Sequence, residues 1–265
     1  MTFGNLIFFE NIYGTALLPW LLGTSLVCLC ETWMTMRLWE KYVQQSQLTF
    51  HTNHFSIADC VTLGRGFLVA GVAGFLFLPE PVGWHAWLPG SLYILSVFAD
   101  YVDGYLARLD NSASEFGAAL DLNFDALTTL IGSFLAILYG HLPSWYFAVG
   151  LAFYVFSLAT WIIKKSGKEI LELPPSHYRR IVGGSNAIFI GFALTPVLPV
   201  NWLTILAGIF SLLILAGFFR DWFCISGLMQ ELPFIKGTHN KLHSKINLQL
   251  MLILLYVVIL SKYRL

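Results

Sequence analysis

Charged residues are scarce in this chain. Aspartate, glutamate, lysine and arginine together make up 11% of the 265 residues, whereas hydrophobic residues make up 57%. A soluble domain carries about 25% charged residues, and the mean hydropathy here is +0.70. The deficit excludes an ordinary soluble domain and predicts an integral membrane protein in contact with the lipid bilayer. Fifteen basic and fifteen acidic residues balance each other, so net charge gives no sign of a nucleic-acid partner, and none is expected.

Cysteine and N-terminal basic residues are also few. The chain has four cysteines, and their spacing matches neither a disulfide framework nor a zinc site. Its first stretch, MTFGNLIFFENIYG, contains no lysine or arginine. We therefore expect no cleaved signal peptide.

Long apolar runs, by contrast, dominate the sequence. A membrane-spanning helix needs about 20 mostly apolar residues. Eight segments approach this length, near 15–36, 61–79, 86–108, 117–139, 143–163, 182–199, 201–220 and 246–261. The last segment is consistent with either a spanning or an interfacial helix. The pattern predicts an all-α polytopic membrane protein.

Basic residues are distributed unevenly among the connections between these segments. With the N-terminus outside, the outer turns at 80–85, 140–142 and 199–201 contain no lysine or arginine, and only Lys262 and Arg264 fall outside. This distribution follows the positive-inside rule and predicts a bacterial-type inner membrane protein. The other 13 of the 15 basic residues fall on the cytoplasmic side: Arg37, Lys41, Arg65, Arg108, Lys164, Lys165, Lys168, Arg179, Arg180, Arg220, Lys236, Lys241 and Lys245.

Four aspartates interrupt the apolar pattern in the stretch DYVDGYLARLDNSASEFGAALDLNFD. Asp100 and Asp103 stand three residues apart near the cytoplasmic end of one predicted helix, and Asp121 and Asp125 stand four apart near the start of the next. Each pair shares a helix face. Because the connection between the helices is short, we expect antiparallel neighbours whose four carboxylates converge on one pocket facing the cytoplasm.

Such a cluster is costly in a membrane. A charged side chain at the centre of a spanning helix costs about 2.5–3.5 kcal/mol on insertion scales, and four like charges repel one another. Hard carboxylate oxygens suit Mg²⁺ or Mn²⁺. Four of them can hold two ions about 3.5–4 Å apart, an arrangement used in phosphoryl-type transfers. The cluster therefore predicts a site for two Mg²⁺ or Mn²⁺ ions and a diphosphate substrate.

Residues between and beside the aspartates fit a phosphate site. Gly104 and Ala107 are small and share a face, so a bulky group can approach the backbone. Arg108 suits bidentate contact with a phosphate. Gly117 leaves space where the next helix begins, and Ser114 offers a hydroxyl in the connection.

The pattern D-x-x-D-G-x-x-A-R-x8-G-x-x-x-D-x-x-x-D resembles the signature of the CDP-alcohol phosphatidyltransferase family. Every defined position matches; these positions are Asp100, Asp103, Gly104, Ala107, Arg108, Gly117, Asp121 and Asp125. The resemblance implies a metal-dependent membrane enzyme of phospholipid biosynthesis. Such an enzyme moves a phosphatidyl-type group from CDP-diacylglycerol or a similar CDP-linked lipid to a hydroxyl acceptor, with release of CMP.

The resemblance also implies an architecture and residue roles. It predicts a six-helix core over 58–220. The apolar segment and connector over 1–57 and the basic loop and apolar segment over 221–265 are additions that the resemblance does not explain. Family members are commonly homodimers. By resemblance, all four aspartates surround the metal and Asp125 is the general base. Gly104, Ala107, Arg108, Ser114 and Gly117 belong to the binding site for the CDP-lipid.

A second, shorter match stands at ADCVTLGRG, residues 58–66. By resemblance, Asp59 and Thr62 help to hold the cytidine nucleotide, and Arg65 reaches its phosphates. Taken alone, the aspartate before an apolar run is equally typical of a helix start.

The acceptor alcohol is less well specified. The cytoplasmic connection KKSGKEILELPPSHYRR carries five basic residues, which suit a phosphorylated acceptor such as glycerol phosphate or inositol phosphate. Basic residues also belong in such loops for topology alone, so both interpretations stay open. GGSNAIF, residues 183–189, is consistent with an acceptor pocket or with close helix packing.

The polar residues 37–58 are consistent with an interfacial helix or a plain loop.

Two other functions fit parts of the aspartate pattern. A membrane prenyltransferase also binds a diphosphate through aspartates and Mg²⁺, but its aspartate pairs are expected far apart in sequence. A cation-coupled transporter would show repeated halves with a site at the membrane midplane, and no repeat is visible here.

Overall fold

The computed structural model describes residues 3–46, 57–109, 115–166 and 177–225, with side chains over narrower ranges. Within these ranges the backbone is helical with short turns, and no strand occurs. Short 3₁₀ helices at Phe75–Phe77, Gly83–Trp87 and Ser144–Tyr146 supplement seven α-helices. These are α1 (Phe3–Ser46), α2 (Ile57–Gly74), α3 (Leu88–Leu109), α4 (Glu115–Leu138), α5 (Phe147–Lys165), α6 (His177–Ala193) and α7 (Val200–Ile225).

The all-helical prediction is confirmed for the described residues, and seven of the eight apolar segments coincide with helices. Agreement is close for α3 and α4, which fall on the segments predicted near 86–108 and 117–139. The segment predicted near 246–261 lies outside the described residues.

Part of the stretch 37–58, for which an interfacial helix and a plain loop were both considered, lies in the described residues and is helical. The structure continues α1 without interruption from the apolar segment to Ser46, so no separate element begins at Arg37. The sequence VQQS at its end contains no proline or glycine to stop the helix earlier. Residues 47–56 lie outside the described ranges.

Four of the described helices are long and apolar enough to span a membrane. They cover Leu17–Tyr42, Phe116–Leu138, Ser144–Lys165 and Val200–Trp222. The other helices are shorter or more polar: the apolar run in α2 covers only Val61–Phe77, α3 carries the first two aspartates, and α6 begins with HYRR. Several apolar helices of this length indicate an integral membrane protein.

Contacts divide the chain into two compact units. One comprises Met1–Tyr154 and Asn186–Leu212, and the other comprises Val155–Ser185 and Leu213–Leu265. All residues of the aspartate stretch belong to the first unit.

Within this first unit, α2 packs against α1, α3 and α4. Glycines allow α1 and α2 to approach closely. A Cβ atom on Gly23 of α1 would lie 3.0 Å from the Cα atom of Gly74, and a Cβ atom on Gly74 would lie 2.7 Å from Thr24 Oγ1. Small residues at a crossing are the usual way for membrane helices to pack tightly.

The N-terminal half of α4 packs on α1 through aromatic and aliphatic side chains. Phe116, Leu120 and Phe124 are almost fully buried, and their partly buried neighbours are Met34, Leu38, Tyr42 and Leu63. The Phe116 ring meets Trp39 edge-on, with centroids 5.4 Å apart. This packing fixes the face of α4 that carries Asp121 and Asp125.

Candidate active site

Three of the four predicted carboxylates meet in one place. Asp100 comes from α3, and Asp121 and Asp125 come from α4. One carboxylate oxygen of each residue lies within 4.8 Å of the others. The four-residue spacing on α4 puts Asp121 and Asp125 on one face, and contact between α3 and α4 brings Asp100 alongside them. The side chain of Asp103, one turn after Asp100 on α3, is outside the described set.

The guanidinium of Arg65 lies among these carboxylates. Its Nη2 atom is 3.0 Å from Asp121 Oδ1, and its Nη1 atom is 3.2 Å from Asp125 Oδ1. Nη1 also forms an ion pair with Asp100 Oδ1. One planar group with several donors can satisfy acceptors from different helices at once. Arg65 therefore ties α2, α3 and α4 together at this point.

Exposure differs sharply between the arginine and the acids. The Arg65 side chain is 1% exposed, whereas the Asp100, Asp121 and Asp125 side chains are 36%, 45% and 53% exposed. The cluster is thus closed on the α2 side and open on the other. Three ionised carboxylates and one guanidinium leave a formal charge of −2, which favours a further cation. Clustered carboxylate oxygens are the ligands that Mg²⁺ and Mn²⁺ prefer, so the residues present fit such ions.

Comparison with known proteins decides the family. The model of the CDP-alcohol phosphatidyltransferase family matches residues 55–219. This chain belongs to that family. The match includes α2 to α6 and most of α7, and it begins after α1. The resemblance inferred from the aspartate pattern is therefore confirmed.

Curated relatives match over a shorter region. Residues of this chain are 36% identical over 93 residues to a CDP-diacylglycerol–glycerol-3-phosphate 3-phosphatidyltransferase of Cereibacter sphaeroides, a match that covers 35% of this chain and 41% of the relative. Proteins of the same name from Wigglesworthia glossinidia brevipalpis and Salmonella choleraesuis are 34% and 28% identical; these matches cover 32% and 35% of this chain. The chain spans less than half the length of each relative: 41%, 46% and 48%. No solved structure matches.

Some other predicted residues of this phosphatidyltransferase-family site can be placed around the cluster. Thr62 is 5% exposed and lies one helical turn before Arg65 on α2. Gly104 is partly buried on α3, and Gly117 lies in the first turns of α4. The backbones of Asp59, Ala107 and Arg108 are helical, but their side chains lie outside the described set, as does Ser114 altogether.

The sequence-based reasoning missed one acidic residue near the cluster. Glu31 of α1 is 6% exposed. Its Oε2 atom lies only 2.8 Å from where a Cβ atom on Gly66 would stand, directly after Arg65 on α2. Glu31 is the sole acid between Leu17 and Arg37. An isolated acid in a spanning segment is a signal that could have singled it out.

A second polar contact lies within the helix bundle of the first unit. The Tyr146 hydroxyl donates a hydrogen bond to Asn186 Oδ1, and both residues are buried. Asn186 belongs to the GGSNAIF stretch, for which an acceptor pocket and helix packing were both considered. The hydrogen bond satisfies the asparagine carbonyl without a ligand, which favours the packing interpretation.

The second unit contains an arginine pair that shares one aspartate. Asp221 is 4% exposed. Arg179 Nη1 is 3.1 Å from Asp221 Oδ2, and Arg220 Nη2 is 2.8 Å from Asp221 Oδ1. Arg220 also lies over the Tyr178 ring, 5.7 Å from its centroid. The group carries one surplus positive charge.

Proposed function

We propose that this protein transfers a phosphatidyl group from CDP-diacylglycerol, or a closely related CDP-linked lipid, to a hydroxyl acceptor and releases CMP. The observation that carries this proposal is the convergence of Asp100, Asp121 and Asp125 within 4.8 Å, on helices inside the region matched by the family model. These residues stand at the acidic positions of the family signature. The family match also favours this reaction over the prenyltransferase and transporter alternatives.

All four aspartates of the signature would hold the divalent cations, Mg²⁺ or Mn²⁺, with two ions per site. Support comes from the clustered oxygens of Asp100, Asp121 and Asp125 and from the position of Asp103 one turn along α3. Bound there, the cations would neutralise charge on the diphosphate and align it for in-line displacement.

Asp125 is our candidate for the proton acceptor. Its side chain is the most exposed of the three described carboxylates, at 53%, and is thus the one most open to an incoming alcohol. The acceptor oxygen attacks the phosphorus on the lipid side, the bond from this phosphorus to the CMP oxygen breaks, and CMP leaves. The hydroxyl proton passes to the Asp125 carboxylate.

The donor's nucleotide and phosphates would contact residues that flank the acids. The family resemblance supports this assignment, because the residues occupy the small and polar positions of the signature and of the shorter match on α2. They are Asp59, Thr62, Gly104, Ala107, Arg108, Ser114 and Gly117. Arg65 is left out of this set, because its side chain is 1% exposed and paired with three aspartates. The buried position of Thr62, one turn before Arg65, is compatible with such a role.

Glycerol 3-phosphate is our first candidate for the acceptor. The names of the three relatives include this substrate. The basic connection after α5 contains Lys164, Lys165 and Lys168, and α6 begins with Arg179 and Arg180. These charges suit the phosphate of such an acceptor.

The wider architecture is part of the same proposal. Helices α2 to α7 would form the six-helix catalytic core over 58–220, with α1 added before it and 221–265 after it. The positive-inside distribution supports an inner membrane location with the site facing the cytoplasm. A homodimer is the expected assembly by resemblance to the family.

The test uses the purified full chain in detergent with CDP-diacylglycerol labelled in the glycerol backbone, Mn²⁺ and a panel of alcohols. We expect CMP release and a new phospholipid with glycerol 3-phosphate. One comparison arm replaces glycerol 3-phosphate by inositol phosphate as the acceptor. The other replaces the CDP-lipid by a prenyl diphosphate as the donor. Absence of CMP release with every acceptor would refute the proposed reaction, and product from the prenyl diphosphate alone would point to the alternative.

A further inference from the structure

The N-terminal helix α1 places a buried acid next to the arginine of the carboxylate cluster, and α1 precedes the region matched by the family model. Glu31 is 6% exposed and Arg65 is 1% exposed. Glu31 Oε2 lies against Gly66, the residue after Arg65 on α2. An acid from outside the region matched by the family model thus lies beside the turn of α2 that carries Arg65.

Both side chains have hydrogen-bonding capacity left over. Within the described part of the chain, the buried atoms Glu31 Oε1 and Arg65 Nε have no hydrogen-bond partner. A buried polar atom without a partner costs about 1–3 kcal/mol, so such atoms call for an explanation. Here one atom is a hydrogen-bond acceptor and the other is a donor.

The charges around Arg65 explain why Glu31 and Arg65 are not paired with each other in this arrangement. The guanidinium is engaged by Asp100, Asp121 and Asp125. Divalent cations held by the same carboxylates would repel it and compete for the same oxygens. A guanidinium displaced within a buried, low-dielectric site needs another counter-charge close by. Glu31 is a buried carboxylate that lies against Gly66, the residue after Arg65.

We propose that Glu31 is a positioning residue which takes up the Arg65 guanidinium when divalent cations bind the aspartates. In this scheme Arg65 has two alternative sets of partners. Without the cations it neutralises the three aspartates, and with them it turns toward Glu31. The role of Glu31 rests on the proposed metal-dependent function of the cluster, and it assigns to α1 a part in the site that the family signature does not contain.

The scheme makes a specific prediction about Mn²⁺ binding. Glu31→Gln removes the alternative partner, so Arg65 should stay on the aspartates and compete with the ion. In an Arg65→Gln background the competitor is gone, and residue 31 should no longer matter. A static structural role for Glu31 would affect both backgrounds alike.

The experiment measures binding of Mn²⁺ alone to the purified full chain, by the electron paramagnetic resonance signal of free Mn²⁺. We expect Glu31→Gln to raise the dissociation constant about tenfold when Arg65 is present, a coupling of the size seen within charged networks. In the Arg65→Gln background the same change should alter it less than about twofold. Glu40→Gln, on the exposed side of α1, is the matched control and should change nothing.

A variant that keeps the carboxylate distinguishes loss of this group from misfolding of Glu31→Gln. Glu31→Asp should keep Mn²⁺ affinity within about threefold of the unmodified chain, since networks of this kind tolerate small shifts. Equal losses in both Arg65 backgrounds, no loss in Glu31→Gln, or a loss in Glu31→Asp as large as in Glu31→Gln would overturn the proposal.

Failure of the Glu31 proposal can be distinguished from failure of the proposed function. A chain that binds Mn²⁺ with the predicted dependence on Glu31, yet releases no CMP with any acceptor, would refute the reaction and support the pairing. A chain that releases CMP but binds Mn²⁺ independently of Glu31 would refute the pairing alone. A chain that binds no Mn²⁺ would refute both.

Discussion

Arg65→Gln should destabilise the protein when divalent cations are chelated, because three carboxylates then face one another without a counter-charge. Their nearest oxygens lie within 4.8 Å. At an effective dielectric constant of about 20, two unit charges at this separation repel by about 3.5 kcal/mol. The side chains are 36–53% exposed, so solvent reduces this sharply, to about 0.2–1 kcal/mol for each pair. Three pairs then amount to about 1–3 kcal/mol.

This loss is measurable as a shift in thermal unfolding. For a chain of this size about 1 kcal/mol corresponds to 2–4 °C, so we expect a decrease in Tm of about 2–12 °C in EDTA. Tryptophan fluorescence of the protein in detergent follows the transition. Added Mn²⁺ should stabilise Arg65→Gln more than it stabilises the unmodified protein, since the ion replaces the missing positive charge.

The control is Arg37→Gln, which removes an exposed arginine that lies 5.3 Å from the Trp33 ring centroid on α1. Its Tm in EDTA should stay within about 1–2 °C of the unmodified protein, as is usual for exposed positions. A Tm of Arg65→Gln in EDTA equal to that of this control would refute the idea that the arginine neutralises the aspartates. Equal stabilisation of Arg65→Gln and the unmodified chain by Mn²⁺ would do the same.

Four further substitutions test other parts of the site. Asp125→Asn should reduce CMP release at least about 100-fold while the protein still inserts in membranes, as expected on losing a general base; full activity would exclude that role. Asp100→Asn should raise the Mn²⁺ concentration needed for half-maximal activity, and an unchanged requirement would count against metal binding there. Gly66→Ala should lower stability by about 1–3 kcal/mol through overpacking, because its Cβ atom would lie 2.6 Å from Phe124 Cε1; an unchanged denaturation midpoint would contradict this packing. Arg180→Ala should raise KM for glycerol 3-phosphate but leave KM for the CDP-lipid unchanged, and equal acceptor KM values would argue against an acceptor-phosphate role.

Sequence reasoning located most of the helices because apolar runs and turn residues are local signals. The bounds of α3 and α4 follow from the apolar segments that contain the aspartates and from the short connection between them. The sequence left open whether residues 37–46 form a helix or a loop, and the structure shows a helix that continues α1 to Ser46. Its last residues are polar, and polarity alone does not say whether a helix continues beyond an apolar segment or a loop begins.

The site was predictable to the extent that its residues share a helix. Asp121 and Asp125 lie four apart, so their common face follows from helix geometry, and the short link to α3 brings Asp100 near them. The central position of Arg65 depends on how α2 packs between α3 and α4. The approach of Glu31 depends on the absence of a side chain at Gly66. Neither contact is encoded in the spacing of residues along one helix, so both needed the three-dimensional structure.

The central claim is that a divalent cation and the diphosphate of a CDP-linked lipid meet at the aspartate cluster. Phosphorus nuclear magnetic resonance of CDP-diacylglycerol with the purified protein and substoichiometric Mn²⁺ tests it directly. Because Mn²⁺ is paramagnetic, we predict strong broadening of both diphosphate signals with the unmodified protein. The broadening should fall to the level of a protein-free sample in the variant that carries Asp100→Asn, Asp121→Asn and Asp125→Asn. Equal broadening with this variant and with the unmodified protein would contradict the assignment of the site.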